Sequence, residues 1–347
     1  LPAHRHRGGL HDARRACRDA SGHRAARAGR SWLLQPDGSL RDEHRREGVV
    51  HHAAPDRPRC RPPRRHRRRR HRRAGAQPDD AATASALAAS SNDELADAVA
   101  RHEGRFEGLA AIAPQDPRAA GAELGRAVGG LGLKGVVINS HTKGECLDDP
   151  KFYEIFEAAE SLSVPIYLHP VTPPKAMIDP FLARGLDGAV FGFAVETSLH
   201  ALRLIFGGVL DRFPRSTIVL GHLGEALPFW LYRLDYMHEA IVRAGRYESV
   251  RRLERRVSDY LRESFYYTTS GMPWEPAISF TRSVVGADRV MYAMDYPYQF
   301  VPGEVAACDA LPYGEEELRA FFESIAVRVF SLGEQHAAAR LGARRPR

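Results

Sequence analysis

Cysteine is scarce in this sequence, which has only Cys17, Cys60, Cys146 and Cys308 among its 347 residues. No two of them form a C-x-x-C pair, so their spacing indicates neither a zinc–thiolate site nor a disulfide framework. Long apolar runs are also missing: none approaches the roughly 18 residues that span a bilayer, and no apolar segment follows the arginine-rich start. We therefore expect a protein without a membrane partner that works in the reducing cytoplasm.

Residues 1–75 lack lysine, isoleucine, phenylalanine, tyrosine, methionine and asparagine altogether. They contain 22 arginines against 7 acidic residues, and nine of the sixteen histidines of the chain. The net charge of this segment is +15, and since the whole chain carries +7, the remaining residues carry −8. The basic character of the protein is therefore confined to a segment that can bury little apolar surface, and the body of the chain is acidic.

Three interpretations of residues 1–75 are open. A basic arm could bind the phosphates of a nucleic acid, or the segment could be a disordered tail. A third interpretation fits the composition better, because reading a GC-rich gene in the wrong frame gives arginine, histidine, proline, alanine and glycine in excess, and this bias stops near Ala76. The start at Leu1 instead of methionine agrees with a damaged or incomplete beginning. We separate this aberrant segment from a folded domain, residues 76–347, and do not expect a nucleic-acid partner.

From Asp79 onward, helical patterns alternate with short β-branched runs, which is typical of βα units and a parallel sheet. The predicted helices cover residues 83–103, 116–131, 150–162, 195–212, 225–242 and 275–286, and the predicted strands cover 106–113, 134–139, 164–169, 216–222, 264–269 and 289–295. Several strands are almost continuously apolar, as in a sheet that is buried on both faces. The pattern predicts an α/β fold.

Two architectures fit six predicted strands. A (β/α)₈ TIM-type barrel needs two more, which would be degraded or missing in residues 1–75, where GVV at 48–50 is a poor remnant of one. An open doubly wound sheet is the alternative, but no G-x-G-x-x-G follows any strand to mark a dinucleotide site. We therefore expect the barrel.

Polar residues end several of the predicted strands. VPIYLH ends at His169, STIVLGH ends at His222, and RVMYAMD ends at Asp295. In a parallel barrel, the carboxyl ends of the strands form one rim, so two imidazoles and a carboxylate should meet there. Such groups suit Zn²⁺ or a similar divalent ion, although each residue taken alone could equally be a hydrogen-bonded structural group.

Further polar residues near this rim have two possible roles each. Glu225, at a predicted helix start, could orient His222 or relay a proton, or it could simply stabilise the helix terminus. His141, after VVIN, could contact a substrate or face solvent in a loop. Arg233 could reach a substrate carboxylate or a neighbouring subunit.

The motifs VPIYLHP, GHLGEALPFWLYRLD, YYTTSG and MYAMDYPY together resemble the amidohydrolase superfamily, in the branch of metal-dependent decarboxylases related to amino-carboxymuconate-semialdehyde decarboxylase. HTKGECLDDPKFYEIFEAAESLSVPIYLHP and the segment from FGFAVETSLH to GHLGE are most similar to the γ-resorcylate (2,6-dihydroxybenzoate) decarboxylase group. The resemblance extends from about residue 80 to residue 335.

The resemblance implies a (β/α)₈ barrel with one divalent ion, Zn²⁺ or Mn²⁺, and no organic cofactor. It assigns two metal ligands to His169 and Asp295, the histidine and acid of the site to His222 and Glu225, an arginine near the active site and subunit contact to Arg233, and the aromatic pocket to Phe191 and Phe193. The family's first-strand ligands, Glu-x-His or His-x-His, have no convincing counterpart. His4 and His6 have the spacing but lie in no apolar strand.

The resemblance also implies an activity: non-oxidative loss of CO₂ from a hydroxylated aromatic acid such as γ-resorcylate, by a homodimer or homotetramer. Asp295 is then the expected proton donor to the ring, with His222 and Glu225 positioning the substrate or relaying protons. One alternative is a metal-dependent hydrolase of a lactone, ester or amide. Another is an inactive product with an incomplete metal site.

Overall fold

The computed structural model describes residues 32–34, 40–42, 80–102, 104–299 and 301–333. In the first part of the chain, the short strands β1 (Trp32–Leu34) and β2 (Leu40–Asp42) pair in antiparallel fashion and form a sheet of their own. The other expectations for residues 1–75, namely the strand remnant at 48–50 and the pair formed by His4 and His6, lie outside the described residues.

The main sheet of the described residues has six parallel strands. They are β3 (Ala110–Ala111), β4 (Val136–Asn139), β5 (Ile166–His169), β6 (Ile218–Leu220), β7 (Phe265–Thr268) and β8 (Val290–Met291), paired in the order β3-β4-β5-β6-β7-β8. Each strand thus pairs with the next one along the chain. A doubly wound sheet reverses its strand order at a switch point, whereas a barrel does not. The order confirms the α/β fold of the TIM-barrel type and contradicts the open-sheet alternative.

Helices connect the strands, and the six predicted helical ranges each correspond to observed helices with similar bounds, whereas several short helices were not predicted. The observed helices are α1 (Ala81–Arg101), α2 (Pro117–Gly129), α3 (Tyr153–Ser161), α4 (Asp179–Leu182), α5 (Gly192–Phe206), α6 (Val209–Arg212), the short turn α7 (His222–Glu225), α8 (Leu227–Ala244), α9 (Val257–Glu263), α10 (Glu275–Val285), α11 (Glu304–Asp309), α12 (Glu315–Arg319) and α13 (Ile325–Val329). Two 3₁₀ turns, Pro150–Phe152 and Ala287–Arg289, and a π-helical segment, Ala320–Ser324, complete the set. No helix in the described ranges is long and apolar enough to cross a membrane.

Local signals explain where the long helices begin. The side chain of Asp80 accepts a hydrogen bond from the amide of Thr83 at 2.7 Å, and that of Asp116 accepts one from Ala119 at 3.0 Å. These aspartates satisfy amide groups that have no partner within the helix. Pro117 occupies the first turn of α2, where its missing N–H costs nothing.

Strand β5 buries one face against the helices and directs polar groups to the other. In β5, Ile166 and Leu168 are buried, whereas Tyr167 and His169 are half-buried and alternate with them. Because successive side chains of a strand point to opposite faces, Tyr167 and His169 lie on the same side of the sheet. This alternation brings polar groups to the inner face of the barrel-type sheet, close to its carboxyl edge.

Candidate metal centre and active site

His169, His222 and Asp295 lie at the carboxyl ends of three strands. His169 is the last residue of β5, and His222 and Asp295 follow β6 and β8 by two and four residues. His222 Nε2 is 3.9 Å from Asp295 Oδ2, which is an ion-pair contact and too long for a hydrogen bond. His169 is near enough to both for their charges to affect its pKa. The structure thus brings the three side chains together.

His222 begins a left-handed turn. Five consecutive residues, His222 to Ala226, have φ between 50° and 82°, and only Gly224 among them is a glycine. Left-handed backbone costs roughly 1–2 kcal/mol for each ordinary residue, so the turn is held by its surroundings. A Cβ on Gly224 would lie 2.6 Å from the ring of Tyr267, so this position also needs the small residue.

The turn aims the imidazole of His222 between two carboxylates. Its Nδ1–H donates to Glu225 Oε1 at 2.6 Å, and its Nε2 faces Asp295. Burial alone would lower the pKa of His222, but its contacts with Asp295 and Glu225 and their negative charges raise it to about 9. The imidazole is therefore positively charged at neutral pH, and Glu225 orients it, as the sequence predicts for one of the two roles of this acid.

His169 is held in the tautomer that a metal ligand needs. Its Nδ1–H donates to the carbonyl oxygen of Pro170 at 2.9 Å, which leaves the lone pair of Nε2 available. Burial, the largest influence, lowers the pKa of His169 and keeps the ring neutral. For Asp295, burial acts against ionisation, but the contacts of His222 and Gln299 outweigh it and hold the pKa of the carboxyl below its ordinary value.

These residues fit a divalent ion as part of a larger ligand set. A neutral imidazole with a free Nε2 and an ionised carboxylate are donors that Zn²⁺ and Mn²⁺ accept. Among the residues that the structure describes, no group of three His, Cys, Asp or Glu side chains has the arrangement of a metal site. His169 and Asp295 would therefore need further ligands, and the predicted first-strand ligands fall outside the described residues.

The predicted substrate-binding residues lie in different surroundings. Arg233 is exposed on the outer face of α8. Phe191 is 53% exposed and Phe193 half-buried, and both lie at the start of α5, after the loop that follows His169. His141 accepts a hydrogen bond from Gly144 N at Nδ1 and donates one from Nε2 to Thr172 O, at 2.9 and 3.1 Å. Both of its ring nitrogens are thus engaged in holding two loops together.

Sequence reasoning missed a trio of hydroxyl groups inside the sheet. The phenol of Tyr167 is 2.8 Å from Thr268 Oγ1, which in turn is 2.7 Å from Ser270 Oγ. Burial raises the pKa of Tyr167, so the phenol stays neutral. Side chains alternate between the two faces of β5, so Tyr167 lies on the same face as His169. This alternation is the signal in the sequence that could have identified Tyr167.

A second missed group is a buried chain of hydrogen bonds behind β4. Leu147 N donates to His200 Nε2 at 2.8 Å, so the neutral ring carries its proton on Nδ1 and donates to Ser140 Oγ at 2.9 Å. Ser140 Oγ–H donates in turn to Glu196 Oε1 at 2.7 Å. Burial lowers the pKa of His200 to about 3 and raises that of Glu196 to about 7. The chain ties the loop after β4, which carries His141, to α5.

Parallel strands in chain order, with imidazole and carboxylate groups at their carboxyl ends, define the class of α/β-barrel proteins with a metal-dependent site. Within that class, the model of the family described as Amidohydrolase matches residues 19–332. The chain belongs to the amidohydrolase family, as its strand-end motifs indicate.

Named relatives within the superfamily are decarboxylases. The gamma-resorcylate decarboxylase of a Polaromonas species is 35% identical over 218 residues, which make up 60% of this chain and 65% of that protein. The enzyme of the same name from Rhizobium radiobacter is 34% identical over 250 residues, 67% of this chain and 75% of that protein. This chain thus spans just under two thirds of the first relative and three quarters of the second.

A solved structure gives the same family and fold. It is 5-carboxyvanillate decarboxylase from Novosphingobium aromaticivorans, complexed with manganese and 4-hydroxy-3-methoxy-5-nitrobenzoic acid. That protein is 50% identical to this chain and superposes with a TM-score of 0.73, covering 74% of this chain and 73% of its own.

Proposed function

We propose that this protein removes CO₂ from a hydroxylated aromatic carboxylic acid in a metal-dependent, non-oxidative reaction. The observation that carries the proposal is the placement of a charged His222 between Glu225 and Asp295, beside a neutral His169, in a chain whose relatives are named as aromatic acid decarboxylases. γ-Resorcylate and 5-carboxyvanillate are the substrates that these relatives suggest, and the manganese in one of them favours Mn²⁺ over Zn²⁺.

His169 Nε2 and the carboxylate of Asp295 would hold the ion. When bound, it supplies a Lewis acid for the substrate carboxylate and the adjacent hydroxyl group. Phe191 and Phe193 are the proposed aromatic walls of the pocket, and His141 shapes its edge by fixing the loops after β4 and β5. In this assignment the aromatic ring lies against apolar side chains, and its polar groups face the histidines and carboxylates of the rim.

The reaction consumes one proton, because the ring carbon gains hydrogen as the bond to the carboxyl carbon breaks and its electron pair returns to the ring. Asp295 is the proposed donor to that carbon, and it is ionised in the resting site. The charged imidazole of His222, whose Nε2 is 3.9 Å from Asp295 Oδ2, is the proposed source of that proton once the contact shortens to hydrogen-bond distance in the substrate complex, while Glu225 holds the opposite side of the ring. CO₂ and the protonated aromatic ring are the products, and the ring regains its aromaticity.

The exposed face of α8 suggests a homodimer. Phe229, Trp230, Tyr232 and Tyr236 are 71%, 45%, 82% and 60% exposed and form one aromatic patch, which we call the α8 patch. Clusters of large apolar side chains on a surface usually mark an interaction site. A second copy of the chain is the proposed occupant, and it would bury Arg233 at the subunit contact that the family resemblance implies.

We also infer a reducing, cytoplasmic setting, since Cys146 and Cys308 are both free thiols.

The decisive experiment incubates the full chain with Mn²⁺ and either γ-resorcylate or 5-carboxyvanillate, and follows CO₂ release together with the aromatic product by chromatography. We expect CO₂ release that stops in Asp295→Asn and His222→Asn and after removal of the metal with a chelator. Turnover of a lactone or ester without CO₂ release would replace the proposal by the hydrolase alternative. Absence of any turnover across both acids would favour the inactive product.

A further inference from the structure

Gln299 lies four residues after Asp295 and reaches back to its carboxylate. Its Nε2–H donates to Asp295 Oδ2 at 2.8 Å. An ionised carboxylate can only accept hydrogen bonds, so the nitrogen of the amide must face it, and the orientation of the amide is fixed. The backbone amides of Tyr298 and Gln299 both donate to the carbonyl oxygen of Asp295 at 2.9 Å, so the loop folds back on itself independently of the side chain.

Gly271, which follows β7, provides the surface on which this amide rests. A Cβ at this position would lie 2.5 Å from both Cδ and Oε1 of Gln299, far inside normal contact. The φ of Gly271 is +70°, which also favours glycine. Gly271, after β7, thus leaves space for the side chain of Gln299, which holds the carboxylate of Asp295 after β8.

The hydrogen bond distinguishes the two oxygens of Asp295. Within the described residues, the contacts of Gln299 Nε2 and of His222 Nε2 are both made to Oδ2. Oδ1 is therefore the oxygen left for an ion or a substrate. Because a carboxylate rotates readily about its last torsion, a fixed donor on one oxygen is needed to keep the other aimed at the site.

We propose that Gln299, supported by Gly271, is a positioning residue that keeps Asp295 Oδ2 toward His222 and Oδ1 toward the metal. This inference rests on the proposed function, since it assigns Asp295 to the metal and to proton transfer. It extends that proposal to two residues that the strand-end pattern of the sequence does not mark.

The test measures Mn²⁺ affinity of the full chain by titration calorimetry, together with kcat and KM for CO₂ release. Gln299→Ala should weaken Mn²⁺ binding by about 10- to 100-fold, the usual effect of removing a partner that orients a ligand. Gly271→Ala should have a similar effect, because the added methyl group displaces the amide from Asp295. Gly271→Ala in the Gln299→Ala background should then add little, since residues that act through one contact are not additive.

A matched control separates this effect from backbone strain. Gly245 has φ +59° and no atom near the position of a Cβ, so Gly245→Ala carries a similar conformational penalty without touching the site. It should leave Mn²⁺ affinity and kcat unchanged. A purely structural role of Gln299 would lower the melting temperature of Gln299→Ala but not its Mn²⁺ affinity.

Each outcome bears on one proposal or the other. Equal Mn²⁺ affinity in the unmodified protein and in Gln299→Ala overturns the positioning role, even if CO₂ is released at a normal rate. Additive effects of the two substitutions, or no Mn²⁺ binding by the unmodified chain, overturn it as well. Weakened Mn²⁺ binding in both variants without CO₂ release from any aromatic acid supports the positioning role and overturns only the decarboxylase.

Discussion

Glu196 keeps a proton at pH values where most carboxyl groups have lost it. Its side chain is buried behind β4, and burial raises its pKa from 4.5 to about 7 in spite of the hydrogen bond from Ser140. In the unfolded chain it titrates near the lower value. Between the two values the folded protein therefore holds a proton that the unfolded chain has released, and the stability of the fold decreases as the pH rises.

This linkage predicts the behaviour of Glu196→Gln, which cannot ionise. The contribution of the glutamate is fully present below pH 4.5 and is lost by about pH 7, a change of roughly 3 kcal/mol. Urea unfolding across this pH range should show a flatter dependence of unfolding free energy on pH in the variant. Glu154→Gln, at an exposed position on α3, is the control. Parallel curves for the unmodified protein and Glu196→Gln would contradict the assignment.

Ala226 offers a second test at the residue scale. It is exposed and ends the left-handed turn with φ 64°, so its methyl group contributes strain and little packing. Ala226→Gly should raise the free energy of unfolding by about 1 kcal/mol, because glycine adopts this backbone without the steric cost. Thermal unfolding measures the change, and a lower melting temperature would mean that the turn is not strained at this residue.

At the scale of elements, Asn92 protects one edge of the described sheet. From α1, its Nδ2 donates to Ala111 O at 2.9 Å and to Glu123 Oε1 at 2.7 Å, while its Oδ1 accepts from Ala111 N at 2.8 Å. The amide thus pairs with both backbone groups of Ala111 in β3, as a neighbouring strand would. An edge strand with unpaired backbone groups is otherwise a site for unwanted pairing.

Asn92→Ala should therefore destabilise the protein by roughly 3 kcal/mol, since it leaves the partly buried N–H and C=O groups of Ala111 without these partners. Chemical denaturation measures the difference. Asp93→Ala is the matched control on the same helix, because in the described part of the chain Asp93 contributes an exposed ion pair with Arg126, whose loss should cost about 1 kcal/mol or less. Equal losses of unfolding free energy in the two variants would contradict a stabilising role for the pairing of Asn92 with Ala111.

The sequence predicts the long elements well and the short ones poorly. The helical periodicity of α1, α2 and α8 places their ends within three residues, since each offers many turns to establish the pattern. α9, with 7 residues, and α12, with 5, are shorter than the window in which periodicity can be recognised, and both were missed. Strand centres were predicted, but the strands are shorter than their apolar runs.

The residues of the candidate site that follow strands could be predicted from the sequence, whereas the features that depend on loops could not. His169, His222 and Asp295 end apolar runs, so the sequence marks their position. The left-handed turn at His222 could not be inferred, because GHLGEA contains only two glycines and four of its five left-handed residues are not glycine. Gln299 acts through a loop and through space left by Gly271, a relation between distant positions that no local pattern encodes.

At the scale of the whole molecule, the α8 patch predicts assembly. Tyr232→Glu places a charge in the centre of the proposed subunit contact and should raise the dimer dissociation constant by about 30-fold or more, the effect of losing a central aromatic residue. Sedimentation velocity over a range of concentrations measures it. Tyr247→Glu, which alters an exposed tyrosine beyond the end of α8, is the control and should leave assembly unchanged. A monomeric unmodified protein at tens of micromolar would refute the contact.

The helix α8 begins at Leu227, directly after the turn that carries His222, and its outer face is the α8 patch. The same helix is thus attached at its N-terminal end to His222, the proposed proton source, and along its outer face to the proposed partner subunit. At nanomolar enzyme concentration the proposed dimer would dissociate, and α8 would lose its contact with the partner subunit. Specific activity should fall on dilution and recover when the protein is concentrated again, so rates from different laboratories are comparable only at matched enzyme concentration.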